Sequence, residues 1–290
     1  MNTFHEVIRE AERSMTAIGH FNISDIVALR AIFETAHELK VPILIGTSEG
    51  EREFIGPRQA VMLVKSLREE FDYPIFINAD HTHSFEKVKE AVAAGYDAIL
   101  FDGGKLPFQE NITQTKQVVE YVKEKAPHTV IEGELGYIGS SSEVQKELPQ
   151  GAAIRPEDLT TAQQAIEFVK ATHVDLLAPA VGNLHGLFTN AAKPRLDINR
   201  ILEIKKAVQI PLVLHGGSGS RDEDFINAIN AGISIIHINT EIRVAWRGGI
   251  EEALLKNPDE VAPYKLMGVA LDKMKEVVYN RLTLFSMRKP

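Results

Sequence analysis

The chain has no cysteine among its 290 residues. Disulfides, iron–sulfur clusters and thiolate metal sites are thereby excluded, so any metal must be held by histidine and carboxylate. Long apolar runs are missing too: no stretch approaches about 18 uninterrupted apolar residues. The opening Met1-Asn2-Thr3-Phe4-His5-Glu6 carries neither a basic nor a long apolar segment. Neither a secretory signal nor a membrane span is expected, and a cytoplasmic enzyme is. Positive charge is in short supply, with 32 Lys and Arg against 40 Asp and Glu, a formal net charge of −8. Nucleic acid is therefore not an expected partner, because its phosphate backbone calls for clustered Lys and Arg. A small phosphorylated ligand needs only a local nest of backbone N–H groups and is compatible with this balance.

What the chain does have is regular alternation. Short β-branched runs at 17–22, 42–47, 74–79, 98–101, 129–134, 175–181, 211–214 and 234–239 read as strands, each followed by an amphipathic stretch. Eight strand–helix units without a composition break predict an α/β fold, a single (β/α)8 TIM barrel spanning 1–290. A doubly wound sheet is the competing arrangement, but no GxGxxG follows the first strand. Segment 3–14 is expected to close the barrel floor as an extra N-terminal helix, and 264–284 to form a C-terminal helical extension. The long polar connection 136–156 follows the fifth strand and is expected to be a mobile cover on the catalytic face.

Three of these strands lead into histidine. The run 75–80 ends at His81, 176–182 leads to Asn183-Leu184-His185, and 211–214 to His215-Gly216-Gly217-Ser218-Gly219. Three imidazoles converging from strand ends are what a catalytic zinc needs, three protein ligands and one open position. His81 is preferred over His83 because it stands at the strand end beside Asp80, itself a natural general acid/base. Glu134 is the candidate extra carboxylate ligand, with Glu132, two residues earlier on the same face, competing for that place. His5, His37, His128 and His173 are read as structural, while His20 and His237 are left open. The glycine-rich turn after His215, the 222–231 helix and Asn239-Thr240 fall on strands seven and eight, where barrels commonly bind phosphate. No lysine stands at the end of the fifth to eighth strands and Lys105 lies in a loop beyond the fourth, so an imine route is disfavoured.

Taken in order, these motifs resemble the class II, metal-dependent ketose-bisphosphate aldolases. The likeness runs from Phe21-Asn22-Ile23 through Asp80-His81, Asp102-Gly103-Gly104-Lys105-Leu106-Pro107-Phe108, Glu132-Gly133-Glu134-Leu135-Gly136 and Gly182-Asn183-Leu184-His185-Gly186. It continues to Leu214-His215-Gly216-Gly217-Ser218-Gly219 and Asn239-Thr240-Glu241. The resemblance implies reversible cleavage of a ketose 1,6-bisphosphate to dihydroxyacetone phosphate and glyceraldehyde 3-phosphate. It assigns Zn2+ to His81, His185 and His215, with Glu134 able to take the metal when it moves. Asp80 would exchange the proton of the C4 hydroxyl or aldehyde oxygen. Gly186, Gly216, Gly217, Ser218, Asn239 and Thr240 would hold the dihydroxyacetone phosphate end, and Asn22 and Ser48 would line the pocket. Gly182 or Ser218 would help bind a monovalent cation. A homodimer or homotetramer is expected.

Two departures stand out against that pattern. Paired acids usual in the loop after Glu-Leu-Gly are replaced by Ser141 and Ser142, leaving Glu143, one residue on, as the candidate acid for the C3 proton. His237 stands where an asparagine is common. Fructose 1,6-bisphosphate is the expected substrate and its tagatose epimer the alternative. A barrel that binds a sugar phosphate or metal without turning it over is a reading of a different class. For the distal phosphate, Arg281 is a candidate set against a solvated surface arginine.

Overall fold

The computed structural model describes residues 2–139, 142–149, 151–152 and 154–287. Among them the strands in chain order are β1 (Ile18–Asn22), β2 (Ile43–Thr47), β3 (Ile75–Thr82), β4 (Ala98–Phe101), β5 (Val130–Leu135), β6 (Val144–Gln145), β7 (Leu176–Pro179), β8 (Leu187–Phe188), β9 (Leu212–Leu214) and β10 (Ile233–Ile238). The helices are α1 (Phe4–Ser14), α2 (Ile26–Leu39), α3 (Glu49–Ile55), α4 (Pro57–Phe71), α5 (Phe85–Ala94), α6 (Phe108–Lys125), α7 (Ala162–Thr172), α8 (Ile198–Val208), α9 (Asp222–Asn230), α10 (Thr240–Lys256) and α11 (Pro263–Phe285). Eight parallel strands close a barrel in the order β1-β10-β9-β7-β5-β4-β3-β2, with helices between them. The fold is a (β/α)8 TIM barrel.

Side chains alternate across a strand, so every second residue points into the barrel. The inward series therefore reads off the sequence: Ile18-His20-Asn22 on β1, Phe76-Asn78-Asp80 on β3, Val130-Glu132-Glu134 on β5, Ile235-His237 on β10. Each begins apolar and ends polar. The apolar ends pack with Leu44, Ala98, Leu176 and Val213 into one buried cluster, which Phe4, Val7, Ile8 and Ala11 of α1 cover from below. Phe4 meets Phe76 with ring centroids 4.8 Å apart. α1 is thus the floor of the barrel, and its start is fixed by Thr3, whose hydroxyl accepts from Glu6 N while Glu6 reaches back to Thr3 N. The larger core lies outside the strands, under α2 to α11.

Some elements differ from the sequence reading. The third strand runs on to Thr82, where Thr82 pairs with Phe101 after a register shift beyond Ala79. The stretch after the second strand holds two helices, α3 and α4, rather than one. Within the 136–156 connection, β6 pairs in parallel with β8, which lies after His185. No helix among the described residues is long and apolar enough to cross a membrane.

Candidate active site

The polar upper ends of the inward series meet at the C-terminal rim of the barrel. At the end of β3 the register shift leaves His81 in a left-handed conformation, φ 43°, which swings its ring over the barrel mouth. Its centroid lies 4.8 Å from that of His185 and 5.0 Å from that of His215. One donor atom from each of His81, Glu134, His185 and His215 falls within 4.8 Å of all the others. Asn183 joins two of the loops that deliver them: its Oδ1 accepts from Val181 N at 2.8 Å and its Nδ2 donates to His215 O at 3.1 Å. Gly182 turns the chain between β7 and His185 at φ 93°, where a side chain would meet Arg195 O.

Several polar atoms of this cluster are buried without a hydrogen-bond partner. His215 Nε2 sits 2.7 Å from Glu132 Oε1, which leaves its Nδ1 buried and without a hydrogen-bond partner. His185 Nε2 and Glu134 Oε2 are buried and unpartnered as well. Buried polar atoms almost always find a partner, and several facing one point call for an ion between them. Burial, reinforced by His81 and His215, holds the His185 pKa well below the ordinary value, so the ring is the neutral form that binds metals. Burial and the neighbouring Asp102 push the Glu134 carboxyl well above its usual range, a charge conflict that a dication would relieve. Burial also opposes charge on His81, but Asp80, Asp102 and Glu134 outweigh it and raise its pKa well above normal. The donor set of three imidazoles and one carboxylate fits zinc.

Asp80 is buried beside this cluster. Its Oδ2 accepts from Asn22 Nδ2 at 2.9 Å, while Oδ1 lies 3.5 Å from His237 Nδ1 and 3.9 Å from His81 Nε2. Burial works against its charge, yet His81, His237 and His20 together keep it well below the usual carboxylate range. Its backbone is fixed by the buried Arg52, which donates to Asp80 O at 2.9 Å and to Thr47 O at 2.5 Å. Asn22 also donates to Glu51 Oε2 at 2.8 Å. Glu51 in turn accepts from Ser48 N, from Ser48 Oγ and from Arg243 Nη2. Ser48 is therefore turned to Glu51 at the start of α3, and Asn22 rather than Ser48 lines the cleft.

Beneath Asp80 lie the two histidines left open by the sequence. His20 and His237 stack with centroids 3.4 Å apart and planes 7° apart, and His237 continues to His215 at 3.8 Å. Gly46 makes room for the pair, since a Cβ there would stand 2.1 Å from His20 Cε1. Burial pushes the His20 pKa down to about 3 and lowers that of His237 well below normal, so both are neutral.

The cleft is lined by Asn22, Asp80, Ser142, His185, Gly186, Gly216, Ser218, His237, Asn239 and Thr240. Gly217 and Gly182 are outside this lining. Ser218 Oγ accepts from Asn239 N at 3.3 Å and Glu241 N at 3.4 Å, joining the glycine-rich turn to the start of α10. Arg281 is neither at the cleft nor solvated: it donates to both Glu241 oxygens at 2.8 and 2.9 Å, pairs with Asp222 at 2.8 Å, and stacks over Phe225. Glu143 is exposed, one residue beyond Ser142, and its carbonyl accepts from Leu187 N at 3.0 Å. Ser141 lies outside the described residues.

Several residues of this network were invisible in the sequence reading. In the sequence Asp102 stands only as the start of a glycine motif, yet its Oδ2 lies 2.7 Å from His81 Nδ1 and orients that ring. Glu51 stands three residues after Ser48, a spacing that signals a helix start. Arg52, Arg243 and Lys193 carried no local signal.

Comparison with known proteins agrees with this geometry. Residues 2–289 match the family model for fructose-bisphosphate aldolase class II. The fructose-bisphosphate aldolase of Geobacillus stearothermophilus is 36% identical over 283 residues, covering 97% of this chain and 95% of that protein. Among solved structures, the YdjI aldolase of Escherichia coli K12 superposes with a TM-score of 0.81 at 29% identity, covering 97% of this chain and 95% of the other. A fructose-bisphosphate aldolase from Campylobacter jejuni shares the fold with a TM-score of 0.79 at 18% identity, covering 97% and 93%. With a family match across nearly its whole length, the chain belongs to the class II fructose-bisphosphate aldolases.

Proposed function

We propose that this aldehyde-lyase cleaves fructose 1,6-bisphosphate, using zinc held by His81, His185 and His215, with Glu134 as a carboxylate that exchanges on and off the metal. The observation that carries the reading is the set of orphaned donors, His185 Nε2, His215 Nδ1 and Glu134 Oε2, buried around one point on the rim. When bound, zinc supplies Lewis-acid stabilisation of the negative charge that develops on the ketose oxygens as C3–C4 breaks. Asp80 takes the proton of the C4 hydroxyl, and returns it in the reverse direction. Its Asn22 hydrogen bond and its backbone anchor on Arg52 hold the carboxylate in place for that transfer. Gly186, Gly216 and Ser218, with Asn239 and Thr240 at the start of α10, line the cleft and hold the dihydroxyacetone phosphate end, while Gly217, expected among them, spends its N–H on His237 O. A helix N-terminus favours that negative charge. Glu143 serves the C3 proton when the lid closes. The monovalent cation expected near Gly182 and Ser218 is a separate question, because a lysine reaches into that region.

The imine alternative has one observation in its favour: burial pushes the Lys193 pKa down to about 7, the state a Schiff-base lysine needs. Its Nζ, however, is directed at backbone carbonyls of Gly186, Gly216 and Ser218. The zinc reading also includes a cytoplasmic setting, suited to phosphorylated sugars, and a homodimer or homotetramer. The exposed apolar Leu255, Val261 and Tyr264 around the α10–α11 turn support a second copy.

The deciding experiment is a coupled cleavage assay with the fructose and tagatose bisphosphates, run with and without chelator and with borohydride. Cleavage of fructose 1,6-bisphosphate that stops on chelation and resumes with zinc is the expected result. Faster turnover of the tagatose epimer would move the substrate assignment, and a chelator-insensitive reaction trapped by borohydride would replace zinc by an imine.

A further inference from the structure

Lys193 lies on the connection between β8 and α8 and folds back across the glycine-rich turn. Its Nζ donates to Gly216 O at 2.5 Å, to Gly186 O at 3.5 Å and to Ser218 O. Three backbone carbonyls turned toward one point are the coordination that a monovalent cation takes, its hydration shell replaced by carbonyl oxygens. The turn is built to present them: Gly216 sits at φ 60°, and a Cβ there would stand 2.4 Å from Leu184 O. A lysine ammonium carries the same unit charge as such an ion and has three donors to match three acceptors. Nothing else of that charge fits while Nζ is there, so the residues do not suit the free monovalent ion that the family resemblance implies.

We propose that the Lys193 ammonium is a tethered replacement for that ion, and that it positions the loops carrying His185 and His215. The amide N–H points away from the carbonyl of the same planar trans peptide, so pinning the carbonyl aims the N–H. The peptide whose carbonyl belongs to Gly216 donates through Gly217 N to His237 O at 3.1 Å. The one from Gly186 donates through Leu187 N to Glu143 O in the lid at 3.0 Å. The one from Ser218 donates through Gly219 N to Glu241 Oε1 at 2.8 Å. One ammonium thus fixes three peptide planes whose other edges hold β10, the lid and α10. Burial, with Arg281, lowers the Lys193 pKa to about 7 and Glu241 opposes them; the three carbonyl acceptors around Nζ match the three N–H donors of the ammonium. Lys193 acts through these peptides and is a positioning residue.

The catalytic part of the test rests on the aldolase reading; the stability part does not. The parent protein, Lys193→Ala and Lys193→Met would be compared at constant ionic strength in chloride salts of K+, Na+, NH4+ and tetramethylammonium. Readouts are the cleavage rate of zinc-loaded protein, the thermal midpoint of chelated protein, and Tl+ binding followed by thallium NMR. The parent is expected to vary less than twofold in rate across the salts and to bind no Tl+ at millimolar concentration. The variants are expected to lose at least tenfold in tetramethylammonium and recover most of it in NH4+ or K+. Their thermal midpoints should rise by several degrees in those ions with zinc chelated, and they should bind Tl+. Variants that fold only when NH4+ or K+ is present would support the same role. A parent activated by K+ or Na+, or one that binds Tl+, would overturn it. So would variants indifferent to every cation, whether active, unfolded or showing only a raised KM. A parent without cleavage activity would remove the aldolase reading and leave the midpoint and thallium results to decide this one.

Discussion

Glu132 and Glu134 point into the barrel two residues apart, yet different neighbours give them different work. Glu132 is spent on His215, at 2.7 Å from Nε2, which fixes the ring and leaves Nδ1 facing the cluster. Carboxylates behind a ligating histidine set its tautomer and basicity, and losing one typically costs about 10- to 100-fold in metal affinity. Glu132→Gln keeps the shape and removes the charge, so zinc affinity measured by competition with a chromophoric chelator is expected to fall by roughly that factor. Equal affinity in the two proteins would show that His215 needs no such partner. Asp80→Ala should behave in the opposite way, retaining zinc while cleavage slows by about 10²–10⁴, the usual weight of one acid–base group. Rate and bound zinc, measured on the same sample, separate the two: full-rate cleavage with zinc in place would reject Asp80 as the base. The sequence put Glu134 ahead of Glu132 through the family motif, not through alternation, which gives a side chain's face but neither its height in the barrel nor its partner. His81 over His83 was readable, since only one sits at the strand end; in the structure His83 is half-exposed, its Nδ1 3.4 Å from Asp102 O.

At the scale of elements, strand pairing and hydropathy part company at β3. Apolar alternation stops at Ala79, where polar Asp80, His81 and Thr82 begin, so a reading by hydrophobicity ends the strand there. Backbone pairing ignores polarity and carries on to Thr82 opposite Phe101. That extension is what places His81. The 136–156 connection is similar: its polarity marks a long loop, but nothing local foretells that Val144–Gln145 pairs with Leu187–Phe188. The ribbon ties this connection to the segment just after His185, and Arg243 Nη1 holds it from α10 through Ser142 O at 3.1 Å. Ser142 lines the cleft, and the exposed Glu143 is the next residue. Glu143→Ala is therefore expected to slow exchange of the C3 proton of dihydroxyacetone phosphate with solvent deuterium, with less effect on zinc content. NMR of the substrate signal follows this directly, and exchange at the parent rate would show that another group moves that proton.

Across the whole molecule, the barrel divides by height into two chemistries. Its lower interior is an apolar plug closed by α1, and it needs no ion to hold together. Its upper rim gathers His81, Glu134, His185 and His215 from β3, β5, β7 and β9, elements that span half the circumference. Without a metal this rim keeps His185 neutral by desolvation and Glu134 in a crowded acidic environment, arrangements that cost stability. An ion that binds the folded rim but not the unfolded chain stabilises by mass action, about 2.7 kcal/mol at a free concentration 100-fold above Kd. For a chain of this length that corresponds to a thermal midpoint higher by about 4 °C. Chelation should therefore abolish cleavage and lower the midpoint by roughly that amount, while the far-ultraviolet circular dichroism of the barrel persists. Restoring zinc should return both together, and each further tenfold of free zinc should add about 1.4 kcal/mol. A midpoint that ignores zinc over a hundredfold range, in protein that still cleaves substrate, would mean that the four side chains do not hold the ion that activity requires.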